Sequence, residues 1–586
     1  MSNFLFLAET ISADKAIQIS MLVIYILMMV TIAFICRKKS STLDDFFLGG
    51  RGLGGWMSAF SYGTTYFSSV IFIGYAGKFG WNMGIASIFI GIGNALIGTL
   101  LAWKVLANPT RLMTRRLGAV TMPDFFAKRY DSPKMKMLAS IIIFVFLIPY
   151  SASVYQGLGY LFEMVFGIDV LWCVIIMAVL TALYLFFGGY FATSLSDFVQ
   201  GIIMLVGVVL MVCFTLNHPN VNWAEGFEKL TEMGFGFNIS TEGGWDSPVF
   251  NLVILILLTS FGIWGLPQSV HKFYAVKDKK AINKAMVVST VFSLLVGGGA
   301  YFVGSMSHLF FGNTLPQGGY DTVIPIMLQQ ALPAALLGLI VVLVLSASMS
   351  TLASLSLASG SAIAVDLYKG YVKPNATDKQ VNVRLKILCV LFILVSVILA
   401  VTNSQAIVDF MSLSWGTLAG CFIGPYVLGL YSKKVNKYGA WTSLIMGLVT
   451  TFVLVFVFGA ISPNPNYDGF LAIVKGGISR SPLIGVICMA QSVIVTYLVS
   501  LFTKKTDKKL LDKCFNDSEQ EIENEVEQPS ESDCKENASI DGETIEEASE
   551  TVINESDRVQ DGVNDEECSL AVESVETDET CYIDNH

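Results

Sequence analysis

Charge is scarce in this sequence. Charged residues make up only 14% of the 586 residues, whereas hydrophobic residues make up 53%. Soluble domains carry about 25% charged residues. The chain also has only four histidines, and its ten cysteines are scattered without the spacing of a metal site or a disulfide framework. These shortages exclude an ordinary soluble domain and indicate a membrane protein that crosses the bilayer several times.

Catalytic motifs are lacking as well. The sequence contains no nucleotide-binding P-loop, no kinase-type motif and no constellation of catalytic side chains. We therefore expect neither ATP-driven transport nor an enzyme activity, and no cofactor other than a coupling ion. Basic residues are spread over many loops, so nucleic-acid binding is not expected either. No sequence feature indicates an obligate protein partner.

Long apolar runs dominate what is present. About 20 apolar residues are needed to cross the hydrocarbon core of a bilayer as a helix. Thirteen segments meet this requirement: 17–36, 55–75, 83–106, 135–165, 169–187, 196–216, 248–270, 284–309, 332–364, 385–402, 406–431, 438–460 and 482–503. The sequence therefore predicts an all-α polytopic membrane protein with about 13 transmembrane helices.

The charges of the loops agree with this count. Alternate loops are basic, as in "CRKKSS", "HKFYAVKDKKAINK" and "YSKKVNKYG", and the loops between them carry little positive charge. Basic loops stay in the cytoplasm, and the alternation holds only for an odd number of spans. We predict a multi-pass protein of the plasma (cell inner) membrane, with its N-terminus outside and its C-terminus in the cytoplasm.

The C-terminal part of the chain has a different composition. From residue 517 to residue 586 there are 25 acidic residues against only two basic ones. Such a segment cannot bury enough apolar surface to offset the entropy of ordering it. We predict a transmembrane body over residues 1–505 and an acidic, disordered cytoplasmic tail over residues 506–586.

Two of the spans contain interruptions that an inert anchor does not need. The span 55–75 has the polar centre "SYGTTYFSS", and Gly262, Gly265 and Pro267 interrupt the span 248–270. If 17–36 is a leading extra helix, the two interrupted spans become the first and sixth of the remainder. This interval is typical of inverted-repeat transporters. It predicts a first repeat at 55–216, a second at 248–431 and two trailing helices at 438–503. Ordinary glycine kinks for packing are the alternative.

A third span, with the segment "SASMSTLASLSLASGSA" at 346–362, is rich in hydroxyls. Ala347, Ser350 and Thr351 share one helix face, and their oxygens suit a hard monovalent cation such as Na⁺. Small residues four apart also allow close helix packing, so spacing alone leaves both interpretations open. Asp197, just inside another span, is either part of an ion pathway or a charge that stabilises a helix N-terminus.

Several segments, taken in order, resemble the sodium:solute symporter family, which includes bacterial proline, galactose and sialic-acid transporters and animal glucose transporters. They are "DDFFLGGRGLGGW", "TMPDFFAKRY", "GGYFATSLSDFVQGIIM", "MSTLASLSLASGSAIAVDLYK" and "WGTLAGCFIGPYVLGLYSKKVNKYGAWTSLIMG". The resemblance covers roughly residues 17 to 505. It implies a LeuT-type 5+5 inverted-repeat core with one leading and two trailing helices.

The resemblance also implies binding sites. A conserved sodium site would use the backbone carbonyls of Thr64, Phe67 and Ala347 and the hydroxyls of Ser350 and Thr351. Asp197, Ser350 and Ser354 match a second set of residues found in some members. The resemblance implies that this set would bind another Na⁺ or line the ion exit. Ala353 stands where such members carry a further serine. Candidates for lining the substrate site are Tyr66, Ser68, Ser69, Phe72, Tyr155, Gln156, Trp264, Gln268, Ser414 and Trp415.

Together these features predict a sodium-coupled symporter that takes up a small organic solute by alternating access. The partners are then the solute, sodium ions and the lipid bilayer. Proline transporters of the family carry an acidic residue where Tyr66 lies, so the resemblance does not favour proline, and the stretch "TTYFSS" resembles forms in anion-carrying members. A carboxylate or an amino acid is therefore the expected solute class. A proton-coupled symporter using Asp197, or a membrane sensor signalling through the acidic tail, are the alternatives.

Overall fold

The structure, a computed structural model, describes residues 13–36, 51–188, 190–402 and 406–515. In these ranges the regular structure is helical, with one isolated backbone bridge between Leu53 and Val276. The α-helices are α1 (Ala13–Cys36), α2 (Gly55–Tyr66), α3 (Ala76–Met83), α4 (Ile88–Gly93), α5 (Asn108–Leu117), α6 (Met122–Arg129), α7 (Pro133–Phe166), α8 (Val170–Gly188), α9 (Tyr190–Leu216), α10 (Trp223–Glu232), α11 (Pro248–Gly262), α12 (Pro267–Tyr274), α13 (Lys279–Ser305), α14 (Ser307–Phe311), α15 (Tyr320–Ala331), α16 (Ala334–Ser361), α17 (Asp378–Thr402), α18 (Ile407–Ile423), α19 (Gly429–Tyr431), α20 (Lys437–Ile461), α21 (Gly469–Ser479), α22 (Ser481–Phe502) and α23 (Lys508–Phe515).

Several of these helices continue into tighter or wider turns. Five segments are π-helical: Val70–Tyr75, Asn94–Leu101, Trp103–Ala107, Ala362–Val372 and Gly424–Leu428. Three are 3₁₀-helical: Gly84–Ser87, Gly244–Asp246 and Ile263–Gly265. The predicted acidic segment from residue 517 onward lies outside the described residues.

The described helices agree with the predicted membrane spans. Eleven helical runs are long and apolar enough to cross a membrane. One of them, Val70–Leu117, covers parts of two predicted spans, because Gly84 turns the chain between them with φ 55°. A Cβ at Gly84 would lie 2.1 Å from the Phe235 carbonyl oxygen, so only glycine fits there. The predicted span 169–187 corresponds to α8. When Val70–Leu117 is counted as two spans and α8 is added, the eleven runs of the described residues account for the thirteen predicted spans.

Both predicted interruptions are present, and their backbones are alike. The first follows α2 at Phe67, where φ is −106° and ψ is 122°, and the helix resumes at Val70. The second follows the 3₁₀ turn after α11 at Leu266, with φ −86° and ψ 123°, before α12 begins. Extended backbone interrupts the ladder of helical hydrogen bonds at membrane depth. Such an interruption is tolerated only inside protein or around a cavity.

The serine-rich helix α16 lies at the centre of the molecule. It packs against α1, α2, α7, α9 and α17. Every residue from 340 to 357 is buried. Its hydroxyls therefore face protein rather than lipid, which removes the difficulty of placing so many of them in one membrane helix.

A buried polar cluster, here called the Asp366 cluster, joins α6 and α7 to the end of the serine-rich span. The Thr121 hydroxyl lies 2.8 Å from both carboxylate oxygens of Asp366. The Lys136 ammonium lies 3.2 Å from Asp366 and 3.0 Å from Asp124, and Lys128 lies 2.8 Å from the other Asp124 oxygen. Asp366 is completely buried. Two lysines against two carboxylates leave the cluster electrically balanced, as burial requires.

The packed part of the chain extends beyond the predicted boundary at residue 505. Helix α23 lies within the segment that the sequence assigns to the tail, yet its Cys514 is fully buried. The Arg116 guanidinium donates to the Cys514 carbonyl at 3.2 Å. The Arg129 guanidinium lies 5.2 Å from the centre of the Phe515 ring. Helix α23 is thus held against α5 and α6.

A close backbone crossing between α3 and α13 gives a first prediction. A Cβ at Gly304 would lie 2.2 Å from the Ala76 carbonyl oxygen, whereas a Cβ at Gly298 on the same helix meets nothing within 4 Å. We expect Gly304→Val to lose folded protein, because backbone cannot yield as a flexible side chain does. Gly298→Val is the matched control and should behave like wild type. Size-exclusion profiles of the two detergent-solubilised variants measure the difference, and indistinguishable profiles would contradict the crossing.

Candidate functional site

Five oxygen atoms converge where α16 meets the end of α2; we call them the oxygen cluster. The Ser350 hydroxyl donates to the Thr64 carbonyl at 2.8 Å and lies 3.3 Å from the Ala347 carbonyl. The Thr351 hydroxyl lies 3.0 Å from the Ala347 carbonyl, 3.4 Å from Thr64 and 3.5 Å from Thr65. The helical spacing of Ala347, Ser350 and Thr351 thus brings them together as predicted.

The oxygen cluster holds more acceptors than donors. The two hydroxyls of Ser350 and Thr351 have one proton each, and three carbonyls surround them. Ser350 is 2% exposed, and Thr64, Ala347 and Thr351 are fully buried. A surplus of uncharged oxygens in a dry place is the chemistry that a hard monovalent cation needs, and no Cys or His that would favour a softer metal takes part.

Phe67 is the remaining member of the predicted sodium set. It lies at the break itself, where the extended backbone turns its carbonyl out of the ladder of α2. Its N–H still donates to the Gly63 carbonyl, so the break begins on the carbonyl side of this residue. The hydrogen bonds of the described residues connect Thr64, Ala347, Ser350 and Thr351 to one another but do not include the Phe67 carbonyl.

Asp197 has a partner that the sequence did not predict. Its carboxylate accepts from the Ser61 hydroxyl at 2.6 Å and from the Lys272 ammonium at 3.3 Å. The ammonium also donates to the Ser61 oxygen at 2.9 Å. All three side chains are at most 3% exposed. We call this group the Asp197 triad; it connects α9, α2 and α12, which belong to both predicted repeats.

The second predicted ion set is divided in the structure. The Thr65 hydroxyl donates to the Ser61 carbonyl at 2.7 Å, so the Ser354 hydroxyl is the donor in its 3.2 Å contact with Thr65. Ser350 belongs to the oxygen cluster. The described hydrogen bonds of Asp197 therefore lead to Ser61 and Lys272, and not to either of the serines predicted to share an ion with it.

Aromatic side chains surround the first break. Tyr66 stacks on Phe67 with ring centres 4.7 Å apart and lies 6.0 Å from Trp415. The Tyr66 hydroxyl donates to the Thr259 carbonyl at 2.8 Å, which ties the end of α2 to α11. Tyr150, which the sequence did not single out, meets Trp415 edge-on at 5.7 Å. Tyr66 and Trp415 thus lie together beside the first break.

Ser68, Ser69 and Phe72 lie at the break or just beyond it. The Ser69 hydroxyl donates to the Val154 carbonyl at 2.8 Å, and the Ser69 N–H donates to Ser348 at 3.2 Å. The Ser68 hydroxyl accepts from the Val70 N–H at 3.3 Å. Phe72 is buried in the following turn. These contacts hold the break between α7 and α16.

The other substrate candidates lie elsewhere. On α7, positions 150, 154 and 157 face the break, and the helical period turns Tyr155 and Gln156 to other sides. Gln156 donates to the Ala400 carbonyl on α17 at 3.0 Å. Trp264 donates to the Ile97 carbonyl at 3.2 Å, and the Ser414 hydroxyl donates to the Phe146 carbonyl. Side-chain polarity selected these residues correctly as buried, but it did not reveal the direction in which each one points.

Gln268 lines a separate, small cavity of about 30 Å³, which has room for about one water molecule. The walls of this cavity come from α6, α7, α9, α12 and α16, and they include Lys272 and Ser354. The cavity therefore borders both the Asp197 triad and the C-terminal part of the serine-rich helix. It lies at the end of the spans that are flanked by basic loops.

The opposite end is closed by polar contacts between α18 and the first broken helix. The Tyr75 and Ser412 hydroxyls are 2.8 Å apart, and the Lys78 ammonium lies 3.0 Å from the Asp409 carboxylate. Asp409 is 4% exposed. The structure thus closes the path beside the first break at one end and has a cavity at the other.

These features define the class of protein: a polytopic all-α membrane protein with two broken helices and a buried oxygen cluster where the first of them meets the serine-rich helix. The same fold occurs in a Na⁺-coupled sialic acid symporter solved in an outward-open, substrate-bound state. The two share 18% identity with a TM-score of 0.65, over 84% of this chain and 99% of that one. The predicted LeuT-type fold is confirmed.

The family follows from sequence comparison. The model of the sodium:solute symporter family matches residues 46–447, which is more than half of the chain. The chain is 27% identical over 491 residues to the osmoregulated proline transporter OpuE of Bacillus subtilis (strain 168), covering 83% of this chain and 94% of that one. It is 27% identical over 493 residues to sodium/proline symporter 2 of Staphylococcus saprophyticus, covering 83% and 93%. The chain belongs to the sodium:solute symporter family, so it is a transporter and not an enzyme.

Proposed function

We propose that this protein takes up a small organic solute together with Na⁺, and that the oxygen cluster binds the ion. The observation that carries the proposal is the surplus of carbonyl acceptors around Ser350 and Thr351. Na⁺ would replace the hydroxyl protons as the positive charge at this point, with the Thr64 and Ala347 carbonyls and the nearby Phe67 carbonyl completing its shell.

The position of the cluster suggests how binding is coupled to movement. An ion held there connects α2 of the first broken helix to α16, so it favours the arrangement in which the two are close. The proposed cycle begins with Na⁺ and solute entering from outside and continues with closure at Lys78 and Asp409. It ends with release on the side of Lys272, where the small cavity would widen. Coupling is reciprocal, so Na⁺ tightens solute binding by the factor by which solute tightens Na⁺ binding.

This direction of transport rests on the proposed topology. The loops with many basic residues would lie in the cytoplasm, with the N-terminus outside and the C-terminus inside. The transmembrane body would then sit in the plasma membrane, and the two repeats would rock against each other around the breaks.

A carboxylate or an amino acid is the proposed solute. The side chains around the first break are mainly aromatic, from Tyr66, Tyr150 and Trp415, with hydroxyls from Ser68 and Ser69. Such a wall suits a compact solute with an apolar portion and few polar groups, rather than a sugar that needs many hydrogen bonds. The curated relatives named above are proline transporters, so proline belongs in the test, although Tyr66 lies where the proline transporters of the family carry an acidic residue.

A thermal-unfolding screen of the purified protein tests the proposed solute class. Proline, other amino acids, small carboxylates and sugars are each added in Na⁺ buffer and in choline buffer. A ligand at a hundred times its Kd stabilises by about 2.7 kcal/mol, so we expect a clear rise in the unfolding midpoint for one carboxylate or amino acid, in Na⁺ only. Stabilisation that is equal in choline, or that is produced by sugars alone, would contradict the proposal.

A further inference from the structure

The Asp197 triad lies at the place where a second cation would be expected from the sequence. It is filled by a group of the protein itself: the Lys272 ammonium lies 3.3 Å from the Asp197 carboxylate and 2.9 Å from Ser61. The two charged side chains are 3% and 2% exposed. We propose that Lys272 is a resident cation that replaces a second Na⁺ beside Asp197, so that this transporter binds one Na⁺ per cycle.

Charge balance supports this role. The single negative charge of Asp197 is offset by the single positive charge of Lys272, and burial makes any further charge expensive unless it is paired. A Na⁺ placed beside this carboxylate would leave one positive charge without a partner in the triad. The ammonium and a sodium ion therefore exclude each other at this point.

The supply of oxygens supports it as well. The Ser350 hydroxyl donates to Thr64 and the Ser354 hydroxyl donates to Thr65, one turn of α2 away from Ser61. Ala353, on the same part of α16, has a methyl group and offers no oxygen. The position beside Asp197 is thus taken by the ammonium, and neither serine hydrogen-bonds this carboxylate in the described residues. Because Lys272 comes from α12 and Ser61 from α2, the hydrogen bond from the ammonium to Ser61 also joins the two broken helices.

Counting bound ions tests the proposal, which rests on the proposed sodium site. Equilibrium binding of radioactive Na⁺ is measured on the purified full-length wild-type chain and on variants. We expect one Na⁺ per wild-type chain, with a Hill coefficient of one. We expect Ala353→Ser to bind one, because Lys272 remains, and the double variant Lys272→Met with Ala353→Ser to bind two, because the cation is removed and an oxygen is added.

Further variants make the outcomes distinct. Adding Asp197→Asn to the double variant should return the number of bound ions to one. In the wild-type background, Lys284→Met removes a lysine that lies over the Trp56 ring, and this control variant should still bind one ion. Two ions bound to the wild type would overturn the proposal without any variant being needed. A single ion bound to a correctly folded double variant would also overturn it. No ion bound to the wild type would refute the sodium site itself.

Discussion

Replacing Ser350 and Thr351 together by alanine is expected to raise the Na⁺ concentration for half-maximal uptake by about a hundredfold. Each hydroxyl is a candidate ligand in a fully buried position, and a lost hydrogen-bonding group of this kind costs about 1–3 kcal/mol. Since about 1.4 kcal/mol is a factor of ten, each single replacement should raise the Na⁺ requirement about tenfold. Uptake at several Na⁺ concentrations measures this, with the amount of protein in the membrane determined in parallel.

The control for this prediction lies on the same helix. Ser356 is completely buried in α16 and is not part of the oxygen cluster. Ser356→Ala removes a serine hydroxyl from the same helix, outside the oxygen cluster, and should leave the Na⁺ dependence of uptake unchanged. If both Ser350→Ala and Thr351→Ala retain the wild-type Na⁺ dependence, the assignment of the ion to the oxygen cluster is wrong.

Asp366→Ala is expected to destabilise the folded protein strongly. Asp366 accepts from Thr121 and pairs with Lys136, and it is completely buried. Removing one partner of a buried ion pair costs about 3–5 kcal/mol. Lys136 keeps Asp124 at 3.0 Å, so the loss in the free energy of unfolding should lie near the lower figure. Thermal unfolding in detergent measures it.

A second aspartate provides the comparison. Asp378 pairs with Lys369 at 3.1 Å, and the two side chains are 57% and 36% exposed. An exposed pair contributes about 0–1 kcal/mol, so Asp378→Ala should shift the unfolding midpoint little. Equal shifts for the two variants would mean that the Asp366 cluster does not hold α6, α7 and the serine-rich span together.

The helices and their interruptions could be predicted from the sequence because they depend on local composition. Apolar runs of sufficient length mark the spans, and Gly63, Gly265 and Pro267 lie within a few residues of the breaks at Phe67 and Leu266. The face shared by Ala347, Ser350 and Thr351 follows from the helical period alone. What the period could not supply was the partner helix, which decides between packing and ion binding.

Lys272 shows where local reasoning fails. The sequence assigns it to the basic loop "HKFYAVKDKKAINK", since the apolar run ends just before it. In the structure it is buried in α12, because Asp197, 75 positions away along the chain, provides the opposite charge. A lysine two residues after the end of an apolar span, in a protein with an aspartate inside another span, is the sequence feature that could have suggested the pair.

The substrate candidates Tyr155 and Gln156 on α7 are turned away from the first break. Tyr155 and Gln156 were selected for polarity within an apolar helix, whereas Tyr150, five positions before Tyr155, faces Trp415. The choice among them depends on how α7 is rotated about its axis. Rotation is set by tertiary contacts such as the one between Ser69 and the Val154 carbonyl.

Solute uptake into proteoliposomes under an imposed Na⁺ gradient tests sodium coupling most directly. Wild-type protein is reconstituted, and the solute identified by the unfolding screen is added outside. We expect accumulation above the external concentration when Na⁺ is high outside only, and none when Na⁺ is equal on both sides or when Ser350 and Thr351 are both alanine. Equal accumulation without Na⁺, driven by a proton gradient, would contradict sodium coupling.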